Sequence, residues 1–296
     1  MPEQALSSGT AIYGNSLMDY LDLTKPRLTL VALATALLGF LMGSTGPFDY
    51  RLLLATLFGS WLVGAGANSL NQWLEKDIDA KMKRTVSRPL PSGRLGERSA
   101  LIFGVLISLA GVLFLLFMVN GFTAVLGALT LLTYVLIYTP LKRKTVFNTF
   151  VGAVPGALPS LIGWAGTGRW SVEALALFLM LYLWQLPHFM AIAWVYREDY
   201  LRSGLKVFSV YDADGKNTAL GIFCYCLMLV PVSLVPTGLH MTGRLYFFTA
   251  SLVSGLFLLA AWDLLLHRLA QAKRFVTFSI VYLLMLIIFM IADKII

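Results

Sequence analysis

Asn68-Ser69-Leu70-Asn71-Gln72-Trp73-Leu74-Glu75-Lys76-Asp77-Ile78-Asp79-Ala80-Lys81-Met82-Lys83-Arg84-Thr85-Val86-Ser87-Arg88-Pro89 closes one of the apolar runs of this chain, and its polarity rises within a few residues. In a helix each residue advances by about 100°, so Asn71, Glu75 and Asp79 fall at about 0°, 40° and 80°, with Asn68 at about 60°. Two amides and two carboxylates then share a stripe about 16 Å long on one face. Asp77, at about 240°, belongs to the opposite face. Carboxylates one turn apart repel by about a few tenths of a kcal/mol unless a cation sits among them. Hard oxygen donors suit Mg²⁺, which keeps several waters and is held by one or two carboxylates plus substrate phosphates. Arg84 and Arg88 follow closely, and guanidinium forks match phosphate oxygens bidentately. The stretch therefore reads as a Mg²⁺–diphosphate site at the mouth of a membrane helix.

The rest of the chain supplies the membrane. Of 296 residues, 58% are hydrophobic and 13% charged, roughly half the charge of an ordinary soluble domain. Apolar runs over 26–44, 52–75, 99–119, 121–139, 147–166, 172–195, 217–237, 245–265 and 275–293 predict an all-α polytopic membrane protein of nine transmembrane helices. Asn120-Gly121 would form a tight hairpin between the third and fourth. With the N-terminus inside, 19 of the 23 Lys and Arg fall on one side and only Arg51, Arg169, Arg244 and Lys294 on the other. Positive-inside placement thus predicts N-in, C-out and a site facing the cytoplasm. It also accounts for the net charge of +8 without nucleic acid. Residues 1–24 are polar and acidic, with no basic leader or small-residue cleavage site, and read as a cytoplasmic segment rather than a signal peptide. Residues 25–296 read as one transmembrane domain. The long inside loops, Glu75 to Arg98 and Arg197 to Lys216, lie four helices apart and suggest a pseudo-repeat of four-helix units. Gly152, Pro155, Gly156 and Pro159 in the fifth span mark a kink or a close helix contact beside a cavity. Cys224 and Cys226 are too close for an ordinary disulfide and read as buried small hydrophobes.

A second constellation ends the sixth span: Trp184-Gln185-Leu186-Pro187-His188-Phe189, then Arg197, Asp199, Tyr200, Arg202 and Lys206. An ionisable side chain within the hydrocarbon zone is costly, which makes His188 a functional candidate; an imidazole bonded to a neighbouring helix is the alternative. Pro187 would bend the helix and open the ring to a cavity. A third basic cluster, Tyr138-Thr139-Pro140-Leu141-Lys142-Arg143-Lys144, lies on the same side. Topological charge bias explains basic residues in loops, but it has no need of carboxylates in helical register.

Asn71-x3-Glu75-x3-Asp79 resembles the N-x-x-x-D-x-x-x-D motif of the UbiA superfamily of intramembrane prenyltransferases, with Glu75 in place of the first Asp. Met82-Lys83-Arg84-Thr85-x-x-Arg88-Pro89-Leu90, Trp184-Gln185-x-Pro187-His188-Phe189 and Arg197-x-Asp199-Tyr200 resemble the haem-modifying branch. Where other branches carry a second D-x-x-x-D, this chain has Tyr196 and Tyr200. The resemblance, from Lys25-Pro26-Arg27 to the last span, implies a UbiA-like helical bundle. It implies transfer of farnesyl from farnesyl diphosphate to a vinyl group of haem B, with addition of water, in a bacterial-type inner membrane. It implies that Asn71, Glu75 and Asp79, with Asp199 as a further candidate, hold Mg²⁺. Lys25, Arg27, Asn68, Arg84, Arg88, Lys142 and Arg197 would contact the diphosphate or order loops over it. His188, Trp184 and Tyr200 would serve the haem side, and haem A synthase or oxidase-assembly factors would be downstream partners. Two rivals stand beside this reading. One is a related enzyme acting on a quinone precursor or chlorophyllide; the other is a secondary transporter, which would place its polar groups at span centres.

Overall fold

A bilayer offers the backbone no hydrogen-bonding partner, so long apolar runs must satisfy their own N–H and C=O groups as helices. The computed structural model describes residues 16–295 and meets this demand. A short α1 (Leu17–Leu23) precedes α2 (Pro26–Gly43), α3 (Tyr50–Asp79) and α4 (Glu97–Met118). Next, α5 (Gly121–Leu131) runs through a π-helical segment, Leu132–Tyr138, into α6 (Thr139–Leu141). Beyond it lie α7 (Asn148–Gly166), α8 (Val172–Val195), the short α9 (Arg197–Ser203) and α10 (Phe208–Tyr211), then α11 (Lys216–Gly238), α12 (Arg244–Leu266) and α13 (Ala272–Ala292). The nine expected spans map onto α2, α3, α4, the composite α5–α6, α7, α8, α11, α12 and α13. Among the described residues, eight of these are long and apolar enough to cross a membrane. The remaining one, α7, is diluted by Gly and Pro, and most of it from Gly152 to Gly166 is buried. A helix wrapped in other helices has no need of a lipid-soluble surface.

Packing repeats at an offset of four spans, as the paired loops suggested. α3 packs on α4 as α8 packs on α11; α4 meets α5 as α11 meets α12; and α5 meets α7 as α12 meets α13. The main apolar core lies among α7, α8, α11, α12 and α13, with α2 and α3 contributing Leu38, Met42 and Val63. The expected hairpin is present: Asn120 accepts the Thr123 N–H at 2.8 Å and caps α5. α3 is 30 residues long, about 45 Å at the ordinary rise and so longer than a hydrocarbon core of about 30 Å. Its last turns emerge as a rigid post that carries the polar stripe.

Within the N-terminal segment, α1 lies on the bundle with Leu23 buried, and Arg94 pairs with buried Asp19 at 2.6 Å. Residues 1–15 lie outside the described part of the chain. Cys226 is buried as expected, but Cys224 is exposed on the outer face of α11, because residues two apart on a helix point well away from each other.

The Gly and Pro of α7 mark close contact rather than a break, since α7 is one continuous helix. A Cβ on Gly163 would fall on the Ala36 carbonyl oxygen, and one on Gly39 would fall on that of Ser160. The two backbones touch there, and neither can yield as a flexible side chain would. Gly163→Ala should therefore cost about 1–3 kcal/mol and lower the thermal midpoint of the detergent-purified protein by several degrees. Gly255→Ala, whose Cβ meets nothing within 4 Å, should leave the midpoint unchanged or raise it.

Candidate active site

At the end of α3 the stripe is real and it is buried: Asn71 is 1%, Glu75 6% and Asp79 1% exposed, while Asp77 faces out. Each buried oxygen group has drawn a cation from a different part of the chain. Lys25 Nζ donates to Asn71 Oδ1 at 2.7 Å. Lys142 Nζ lies 2.9 Å from Glu75 Oε1 and donates to Oε2 at 3.1 Å. Arg88 Nη1 pairs with Asp79 Oδ2 at 2.6 Å. The register itself is locked, because Asn71 Nδ2 donates to Glu75 Oε2 one turn on, at 2.9 Å. It donates also to Thr139 Oγ1 at 3.0 Å. Thr139 spends its own hydroxyl hydrogen on the Tyr134 carbonyl at 2.8 Å, five residues back in the π register, so it can only accept from Asn71. The amide orientation follows, with Oδ1 turned to Lys25.

The backbone aims these cations. Lys25 adopts a left-handed conformation, φ 48°, immediately before Pro26. A non-glycine residue is held there only when its surroundings impose it, and such positions concentrate at functional sites. Burial, reinforced by Arg88, brings the Lys25 ammonium down to about 7, against the opposing pull of Glu75. Burial alone would also lower Lys142, but contact with Glu75 holds it above its usual value.

The donor set fits a hard cation. It consists of two carboxylates and an amide oxygen, and Glu75 Oε1 is buried without a hydrogen-bond donor in suitable geometry. Among the described residues no three His, Cys, Asp or Glu gather closely enough to form a metal cage.

The second loop closes the site without adding ligands. Asp199, a candidate metal ligand by sequence, instead accepts the backbone N–H groups of Lys83 and Arg84 at 3.3 and 3.4 Å and pairs with Arg202. Burial pushes its carboxyl up, but Arg202 and the two N–H groups outweigh that and hold it below the usual range. Lys206 N–H donates to the Lys142 carbonyl at 2.8 Å. Asn148 Nδ2 donates to the Lys206 carbonyl at 2.6 Å. One loop thereby positions both the Arg84–Arg88 segment and the backbone of Lys142.

His188 lies in α8, buried, with Nδ1 2.6 Å from Ser279 Oγ on α13. Trp184 stacks on it, centroids 5.0 Å apart and planes 18° from parallel, and donates Nε1–H to the Ser279 carbonyl at 2.8 Å. Pro187 does not break α8, which is continuous to Val195.

Of the residues expected to contact diphosphate, Lys25, Arg88 and Lys142 converge on the stripe. Asn68 does not: its Nδ2 donates to the Thr24 carbonyl and Thr29 Oγ1, at 3.3 and 3.2 Å, and ties α3 to the α1–α2 corner. Arg27 is exposed. Arg84 stacks on Tyr196 at 5.0 Å. Arg197 stacks on Trp194 at 4.9 Å and donates to the Ala213 carbonyl, away from the stripe. Tyr200, expected on the haem side, packs instead against the Ile78, Met82 and Leu205 cluster beside the charged end. Sequence reasoning missed Thr139 and Ser279. The Thr-Pro step beside Lys142 hinted at the first, whereas a serine in an apolar span gives no sign of its partner.

Fold and site together are those of a membrane-embedded enzyme with a buried cluster of paired charges where a transmembrane helix emerges. The chain belongs to the UbiA prenyltransferase family, whose profile matches residues 32–289. It is 43% identical over 287 residues to the protoheme IX farnesyltransferase of Solibacter usitatus, covering 93% of this chain and 98% of that one. The enzyme of the same name from Symbiobacterium thermophilum is 39% identical, covering 95% of each. Among solved structures, a UbiA homolog from Archaeoglobus fulgidus bound to DMAPP and Mg²⁺ shares the fold. Its TM-score is 0.70 at 15% identity, over 92% of this chain and 99% of that one.

The Asp199 clasp yields a test. Asp199→Ala frees the N–H groups of Lys83 and Arg84 and should weaken binding of Mg²⁺–diphosphate, measured calorimetrically, about tenfold. That corresponds to roughly 1.4 kcal/mol, near the range for hydrogen bonds to a charged group. Asp199→Asn keeps an acceptor oxygen and should lose less than about threefold.

Proposed function

We propose that this chain transfers the farnesyl group of farnesyl diphosphate to a vinyl group of haem B, with addition of water, to give haem O and diphosphate. The observation that carries the proposal is the buried set Asn71, Glu75 and Asp79, each with its own cation from Lys25, Lys142 and Arg88. A multiply charged anion complexed to a divalent cation meets both signs of charge there at once. The similarity of nearly the whole chain to proteins named protoheme IX farnesyltransferase supports the choice of acceptor.

Asn71 Oδ1, Glu75 and Asp79 would hold Mg²⁺, which when bound screens the diphosphate and stabilises it as a leaving group. The C1–O bond of the allylic diphosphate breaks, and its electron pair departs with the diphosphate. Lys25 then exchanges the Asn71 amide oxygen, and Lys142 and Arg88 their carboxylate partners, for phosphate oxygens as negative charge grows there. The clasped loops keep bulk water from the prenyl cation. The vinyl π electrons form the new C–C bond. One water adds to the resulting carbocation and loses a proton, which leaves the hydroxyl. A farnesyl tail and a porphyrin face are both apolar, which suits a site opening into the bilayer.

The 19-to-4 distribution of basic residues supports a bacterial inner-membrane orientation with the N-terminus and the site on the cytoplasmic side. Haem A synthase or oxidase-assembly factors would then receive the product. Membranes containing the chain, supplied with haem B and farnesyl diphosphate, should yield a pigment heavier by one farnesyl group and one hydroxyl group, read by mass spectrometry. A farnesylated quinone precursor instead would replace the proposed acceptor. Glu75→Gln and Asp79→Asn should each lower turnover at least about a hundredfold while the protein still inserts and purifies normally.

A further inference from the structure

Ser279 has one hydroxyl hydrogen and two close neighbours. Its Oγ is 2.7 Å from the Val276 carbonyl oxygen and 2.6 Å from His188 Nδ1, and the residue is fully buried. A carbonyl oxygen can only accept, so both contacts are hydrogen bonds together only when the hydroxyl hydrogen goes to Val276 and Nδ1 carries a proton. That arrangement leaves the lone pair of the neutral ring on Nε2, and among the described residues no group hydrogen-bonds that nitrogen. The ring plane is fixed as well: Trp184 stacks on it and is itself tied to the Ser279 carbonyl. A histidine serving only to fill a core would be satisfied at both nitrogens; this one is anchored at one and bare at the other. Such anchoring of Nδ1–H is how proteins prepare an imidazole to ligate a metal through Nε2.

We infer that Ser279 is a positioning residue of the acceptor side, fixing the His188 tautomer so that Nε2 ligates the iron of the haem substrate and orients its vinyl group. This rests on haem being the acceptor, as proposed above. Neither Ser279 nor α13 carries any residue of the diphosphate cluster, so the two sides of the site can be perturbed separately.

The test is a titration of the full-length, detergent-purified protein with ferric haem B in the absence of farnesyl diphosphate, followed in the Soret band. The wild type should show the shift of an imidazole-ligated haem, and His188→Ala should abolish it. Ser279→Ala should weaken haem binding about tenfold or more, the usual consequence of removing the partner of a metal-ligating histidine, and Ser279→Thr should restore it to within about threefold. Binding of Mg²⁺–diphosphate to Ser279→Ala should match the wild type. A wild-type Soret position in His188→Ala, haem binding unchanged in Ser279→Ala, or equal loss of haem and diphosphate binding would each overturn the inference. Turnover of haem by the wild type is scored separately. If turnover occurs while the band ignores both substitutions, the ligation fails and the proposed reaction stands; if no turnover occurs, the proposed reaction itself fails.

Discussion

The charge balance at the inner end of α3 governs the arrangement around it. Burying an ionised carboxylate is unfavourable by several kcal/mol unless a partner sits against it, and α3 buries two within one turn of each other. The chain meets this cost with side chains from three separate segments. Lys25 comes from the α1–α2 corner, Lys142 from the far end of the fourth span, and Arg88 from the loop that follows α3 itself. Each segment is therefore fixed in place by the stripe as much as by apolar packing. The left-handed backbone at Lys25 and the π register before Thr139 are local departures from ideal geometry beside the converging charges.

Lys142 and Arg88 neutralise the two carboxylates, Lys25 donates to the Asn71 amide oxygen, and Glu75 Oε1 has no hydrogen-bond donor in suitable geometry. On the proposed reaction, these oxygens would hold a divalent cation and the three basic side chains would turn to phosphate oxygens, with little fresh desolvation because the exchanging groups already lie among polar partners.

Much of this was legible in the chain. Nine apolar runs can only be helices in a bilayer, and a period of 3.6 residues puts Asn71, Glu75 and Asp79 on one face and Asp77 on the other whatever surrounds them. Lys25, Arg88 and Lys142 were also among the residues picked out. What the sequence leaves open is the neighbour that a given angle faces. Asn68 shares the stripe's direction, but it lies nearly a turn deeper and meets the α1–α2 corner rather than the cations. Asp199 stands in a motif-like setting, yet its carboxylate is taken by two backbone N–H groups, and no pattern of side chains announces a backbone donor. Ser279 lies within a mostly apolar span, and only the crossing of α13 against α8 gives it meaning.

The two halves of the repeat have diverged in depth as well as in chemistry. If Tyr196 and Tyr200 occupy the places of Glu75 and Asp79, then Ile192 matches Asn71, and His188 lies four residues, about 6 Å, further into the membrane than that first donor. On the proposed reaction, a diphosphate held at the mouth would direct its allylic carbon inward along the bundle, and an acceptor anchored one turn deeper would lie toward the carbon that becomes cationic. The half of the bundle that matches the stripe carries an imidazole and a loop clasp in place of the second pair of aspartates. The duplicated four-helix unit would then be asymmetric, with leaving-group chemistry at the surface of one half and acceptor chemistry inside the other.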